Sequence, residues 1–358
     1  MNFKLKSIIS NKKYNAIGMA VLAAILYGIN APFAKILLEE IPATLMAALM
    51  YLGAGAGMLL INIIKVIKKH DNREARITKK EIPSVIGMIL LDIAAPILLM
   101  LGLSLTNAAN VSLLNNFEIV ATTLIALLVY KEMVGTRMWI AIFLITIASF
   151  ILSIEDFSSI SISLGSLFVI LACICWGFEN NLTRVLSEKD PMQVVVIKGF
   201  GSGFGALIIA FFAGAFTGSF IYIIMALLLG FVAYGLSIFF YVRAQRDLGA
   251  ARTSIYYAAA PFVGVLASWI VLKESVSISF GIALVIMIIG TSLAVLEKHR
   301  HTHTHDSMQH EHRHIHDDSH HNHIHSDLHE IEHSHKHSHE EMEHKHSHSP
   351  DLHHKHRH

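Results

Sequence analysis

Cysteine and charge are scarce in this sequence, and histidine is missing from most of it. The 358 residues include two cysteines, and only 15% are Asp, Glu, Lys or Arg. Cys173 and Cys175 share one apolar run. Two residues apart on a helix they point in different directions, which argues against a disulfide between them and for small buried residues. There is no phosphate-binding lysine motif, no nucleophile elbow and no zinc-protease helix pattern, so enzymatic activity is not expected. No nucleic-acid partner is expected either. The alternation of apolar and polar faces that a soluble protein needs is also lacking.

Apolar runs fill residues 1–298, and hydrophobic residues make up 53% of the chain. The runs are apolar all round, which means lipid or a membrane-buried bundle. Ten are long enough to cross a bilayer: 16–38, 43–63, 83–105, 108–130, 136–153, 164–186, 191–213, 220–242, 250–272 and 277–296. The first follows a lysine-bearing start without a small-residue cleavage site, and so reads as an uncleaved span. Lysines and arginines crowd one set of loops, from Lys4 to Arg252, while the other set carries only Lys273. That asymmetry predicts both chain ends on the cytoplasmic side of a cell (inner) membrane.

One stretch occurs twice. Residues 108–132 read AANVSLLNNFEIVATTLIALLVYKE, and residues 250–274 read AARTSIYYAAAPFVGVLASWIVLKE. Shifted by 142 positions, Ala108-Ala109 falls on Ala250-Ala251, Ser112 on Ser254, and Lys131-Glu132 on Lys273-Glu274. Tyr27-Gly28 with Lys35 matches Trp176-Gly177 with Arg184 at a shift of 149. Each half, 1–153 and 164–298, has five spans, and an odd number inverts the second half. Inverted repeats place a substrate site near the midplane where the halves meet. The fold class predicted is therefore an all-α membrane protein: ten transmembrane helices in two inverted five-helix repeats, with a disordered tail at 299–358.

These features resemble the EamA-type carriers of the drug/metabolite transporter superfamily, over about residues 16–296. The resemblance rests on five plus five spans, Tyr/Trp-Gly in spans one and six, and small-residue fourth and ninth spans ending in Lys-Glu. Ala259-Ala260-Pro261-Phe262 looks like the family's proline-containing helix, whereas Glu118-Ile119 stands where span four often has a proline. The resemblance implies a secondary carrier with cytoplasmic ends, often an exporter, and no nucleotide-hydrolysing part.

Polar groups inside the spans are the candidates for a solute and proton path. Glu118 is foremost, since a carboxylate at mid-bilayer costs at least ~2.5 kcal/mol and requires a partner or a wet cavity. A group that takes up and releases a proton suits coupled transport. Asn115, Glu118 and Thr122 share one helix face. Glu179, next to Asn180 in span six, has pairing with Lys198 or Arg184 as its plainer reading. Asp92 precedes Pro96 in span three. Lys198 is either their counter-charge or a side chain snorkelling to water. Asn30-Ala31-Pro32 marks a broken helix or a packing kink. Glycines in spans two and seven read as packing surfaces.

The tail holds every histidine except His70 and has 6 Lys/Arg against 11 Asp/Glu, while the body has 22 against 16. Its His-x-His units supply candidate metal ligands: His301, His303, His305, His310, His312, His314, His316, His320, His321, His323, His325, His333, His335, His337, His339, His344, His346 and His348. Imidazole suits Zn, Ni, Co or Cu ions. Many ligands on a flexible chain hold several ions in shifting sets. Incidental affinity and a pH response are the competing readings.

The leading expectation is a proton-coupled secondary carrier of a small metabolite, with no required cofactor. A divalent transition-metal carrier is the runner-up, and a membrane metal sensor or store that transports nothing is third. The partners expected are membrane lipid, a small-molecule or ion substrate and transition-metal ions. A homodimer is compatible with all three.

Overall fold

A computed structural model describes residues 3–67, 76–156, 161–216, 219–248, 250–296, and in the tail 299–305, 308–315, 332–339 and 342–348. Among the described residues ten helical spans are long and apolar enough to cross a membrane, as the sequence predicts. Span one is α1 (Phe3–Gly28) and α2 (Asn30–Leu37); α3 (Ala43–Ile67) and α4 (Ile82–Leu105) are spans two and three. Span four is α5 (Ala108–Leu114) and α6 (Phe117–Tyr130), and α7 (Thr136–Ser153) is span five. The second half follows with α8 (Leu164–Leu182), α9 (Pro191–Phe212), and α10 (Phe220–Gly230) joined to α11 (Ser237–Leu248). Span nine is α12 (Ala250–Tyr257) and α13 (Ala260–Leu272), and span ten is α14 (Ile278–Val295).

Spans one, four and nine are each interrupted near mid-depth, and each break has a local cause. Pro32 and Pro261 lack the N–H that would bond to Gly28 and Tyr257, so one helix stops and another starts. Span four has no proline. There the Asn116 side chain donates to the Leu113 carbonyl at 3.0 Å, taking a backbone acceptor and ending the helix. The sequence reading treats span four as one continuous helix, because asparagine is a weaker breaker signal than proline. Span eight instead carries a π-helical segment, Phe231–Leu236.

The repeated Lys-Glu pairs are helix stops. Lys131 and Lys273 are the non-glycine residues with positive φ among those described, at 57° and 53°. Each takes the left-handed conformation that ends α6 or α13, turning the following glutamate back toward the bundle.

Packing repeats as well. α3 crosses α9 and α7 crosses α14, pairing spans two with seven and five with ten. The α4–α8 and α1–α11 contacts are images of each other. The α3–α9 crossing is backbone to backbone: a Cβ on Gly199 would sit 2.5 Å from Gly55. Gly28 packs on Val263, and its counterpart Gly177 packs on Ala121, the residue that the 142-position shift predicts.

Among the described tail residues the backbone pairs as two-stranded ribbons, His299–His305 with Met342–His348 and Met308–Ile315 with Glu332–His339. Such ribbons have no core and are marginal in water. The side chains of the candidate metal ligands from His301 to His348 lie outside the described residues.

Candidate functional site

Three ionisable groups of the membrane spans meet in one cluster. Lys198 of α9 lies between two carboxylates, 3.0 Å from Asp92 Oδ2 and 3.2 Å from Glu179 Oε1. Asp92 is fully buried, and Tyr51 donates to its Oδ1 at 3.0 Å. The Thr183 hydroxyl donates to Glu179 Oε1 at 3.2 Å. Of the two readings of Lys198, the geometry favours counter-charge over snorkelling. Arg184, an alternative partner for Glu179, pairs with Glu132 instead.

Glu118 stands apart from this cluster. Asn180 Nδ2 donates to its Oε1 at 2.7 Å and lies 3.3 Å from Thr122 Oγ1, so α6 and α8 present these three residues together. Among the described residues no cation is within ion-pair distance of Glu118. The Glu118 side chain is half-buried.

Tyrosines of spans one, two, eight and nine form a continuous ladder. Ring centroids are 4.8 Å apart for Tyr241–Tyr257, 5.9 Å for Tyr27–Tyr257, 6.1 Å for Tyr27–Tyr234 and 5.4 Å for Tyr51–Tyr234. Tyr27, Tyr241 and Tyr257 are half-buried, while Tyr51 and Tyr234 are buried behind them. The ladder ends on Asp92 through Tyr51. Sequence reasoning singled out only Tyr27 of this set. Tyrosines inside apolar spans were the available signal.

Asn30 and Asn115 line a small cavity with Tyr27, Ser112 and Pro261, with room for about one water. Asn30 Nδ2 donates to Tyr234 Oη at 3.4 Å, but its Oδ1 and that of Asn115 are buried without a partner.

The two membrane faces differ. On the face away from the chain ends, α5 packs along α13 and is buried over nearly its whole length. Ser112 is 3% exposed there, against Gly264. The Glu274 carboxylate accepts from the N–H groups of Ala108 and Ala109 at 2.8 and 2.9 Å, capping α5, for which Asn107 supplies no side-chain cap. Lys35 gathers the carbonyls of Leu103, Ser104 and Thr106 that end α4. On the face that carries the chain ends, the image pair α6 and α12 barely approach among the described residues. Ser254, the image of Ser112, is exposed. The α5–α13 side is thus closely packed and, among the described residues, the α6–α12 side is not. Among the described residues no group of three His, Cys, Asp or Glu side chains is placed to hold a metal ion.

Comparison with known proteins agrees with this architecture. The profile of the EamA-like transporter family matches twice, over residues 15–154 and 163–296. An uncharacterised transporter of Methanothermobacter thermautotrophicus is 28% identical over 284 residues, covering 75% of this chain and 83% of that protein. An uncharacterised solute carrier family 35 member of Schizosaccharomyces pombe is 24% identical over 111 residues, 29% of this chain and 22% of that one. A solved crystal structure superposes with a TM-score of 0.59 at 13% identity, covering 79% of this chain and 96% of that chain, a likeness of fold alone. Ten membrane-length helices and a family match to both halves make this a multi-pass membrane transporter, and the chain belongs to the EamA-like transporter family.

Proposed function

We propose that the chain is a secondary carrier that moves a small solute by alternating access, with both ends in the cytoplasm and Glu118 as the carboxylate that exchanges a proton during the cycle. One observation carries this reading: α5–α13 and α6–α12 are images under the repeat, yet the first pair is closed and the second open. Exchanging the two arrangements would close the chamber to one face and open it to the other without changing the fold. Lys198 neutralises part of the Asp92–Glu179 pair, and among the described residues Glu118 has no ion-pair partner. The lysine and arginine bias favours the cytoplasm as the open side, and export is the direction expected. The tail stands outside the path, at the same face, as a metal-binding annex.

The test is flux into proteoliposomes with and without an imposed pH gradient, screening amines, amino acids, Zn²⁺, Ni²⁺ and Co²⁺. Glu118→Gln is expected to abolish gradient-driven flux while unfolding at nearly the wild-type temperature. Undiminished flux with unchanged pH dependence in that variant would end the reading of Glu118.

A further inference from the structure

We propose that Glu132 and Glu274, the glutamates of the two repeated Lys-Glu pairs, are the gate residues of the two membrane faces. Each exchanges between a cation and the first amides of a facing span. This rests on reading the chain as an alternating-access carrier and names the groups that hold each face.

The two glutamates are images of each other and start from the same backbone turn. Lys131 and Lys273 both take positive φ, 57° and 53°, so each following carboxylate leaves its helix in the same way. At the packed face Glu274 reaches across the halves to α5, accepting from the N–H of Ala108 at 2.8 Å and of Ala109 at 2.9 Å. Lys35 Nζ donates to carbonyls just before them, Leu103 at 2.6 Å and Thr106 at 2.9 Å. Anion and cation thus hold the two sides of one short connection, each complementing a helix end. The 142-position shift relates Ala108-Ala109 to Ala250-Ala251, letter for letter, and Glu132 to Glu274. The 149-position shift relates Lys35 to Arg184.

At the other face the matching residues are joined differently. Glu132 accepts from Arg184 and makes no bond to α12 among the described residues. Both side chains are partly exposed, 29% for Arg184 and 21% for Glu132. The repeated glutamate therefore has two sets of donors, one ionic and one of helix amides, and this one molecule shows both. Either set gives the carboxylate charge-assisted hydrogen bonds, so an exchange leaves it paired throughout. In the opposite state Glu132 leaves Arg184 for the amides of Ala250 and Ala251, and Glu274 leaves α5 for Lys35.

The experiment is maleimide labelling of the full-length protein in lipid nanodiscs, in a background without Cys173 and Cys175. Ser112→Cys reports the α5–α13 face and Ser254→Cys the α6–α12 face. Arg184→Gln removes the ionic partner of Glu132, which leaves the amides of α12 as the better donors. Labelling at position 112 should then rise by about fivefold, the size of a partly exposed ion pair, and labelling at position 254 should fall. Arg184→Lys keeps the charge and should restore both rates. Ala250→Pro removes one of the amides and stands at the first position of α12, where proline is tolerated. Added to Arg184→Gln, it should return both rates toward wild type. A thermal melt of each variant checks the fold; a purely structural ion pair would lower the melt without moving the two rates in opposite directions. Rates unchanged in Arg184→Gln, or not reversed by Ala250→Pro, would overturn the proposal, and solute flux persisting alongside them would leave the carrier reading standing. Opposed rates with no flux of any solute would support the two gates and sink the carrier reading.

Discussion

Removing the one lysine that lies between two buried carboxylates should damage the protein more than removing either carboxylate. Lys198 Nζ is 3.0 Å from Asp92 and 3.2 Å from Glu179. At an effective dielectric of about 20, each contact is worth roughly 5 kcal/mol before desolvation. Burying the ammonium takes back a good part of that. Breaking a buried pair by removing one partner leaves a net loss of ~3–5 kcal/mol, because the other charge stays buried and uncompensated. In Lys198→Met two such charges would remain and would face each other. The neutralised triple variant Lys198→Met with Asp92→Asn and Glu179→Gln carries no charge at all, and buried ion pairs replaced as a unit are often close to neutral in stability. We expect the single variant to unfold several degrees below wild type in detergent and the triple variant to recover most of the difference. The measurement is a thermal melt followed by tryptophan fluorescence, with Trp176, three residues before Glu179 on α8, as a reporter. A single variant that melts with wild type, or a triple variant no better than the single, would refute the placement of this charge cluster.

Other expectations bear on the closed face and the tail. Gly264→Ala would put a Cβ 2.5 Å from Ser112 Oγ and 2.9 Å from the Gly28 carbonyl, so it should prevent α13 from seating on α5. In a background without Cys173 and Cys175, Ser112→Cys should then react with an aqueous maleimide much faster than it does beside Gly264; equal rates would count against a closed face held by this contact. Glu274→Gln removes the charge from two short N–H···O bonds at the start of α5 and should cost about 1–2 kcal/mol of stability. Glu274→Asp, too short to reach both amides, should not recover it, as melting curves would show. Deletion of residues 297–358 should leave solute flux unchanged while removing most bound Ni²⁺ or Zn²⁺, counted by elemental analysis of the dialysed protein; flux that falls with the tail would tie the metal to transport.

The bundle could be read from the sequence because hydrophobicity alone specifies spans, and a repeat with an odd number of spans specifies inversion. The structure repeats a contact across the halves: the two shifts carry Gly28 on Val263 onto Gly177 on Ala121. The conformation could not be read in this way. Two inverted halves of the same fold allow either face to close, and the difference between the faces comes from unequal residues at matched positions. Gly264 admits Ser112 at the closed face, whereas its image at the open face is Thr122, which has a branched side chain and already receives Asn180. Close approach of α12 to α6 must displace that side chain or its hydrogen bond, and close approach of α13 to α5 meets no such obstacle. The same argument explains why Glu118 was visible from the sequence and the tyrosine ladder was not. A carboxylate in an apolar run is conspicuous whatever surrounds it. A tyrosine there becomes informative only when folding brings rings from spans one, two, eight and nine into contact. Thr122 therefore joins the two findings: it holds Asn180 beside Glu118, and it occupies the position through which the open face would have to close.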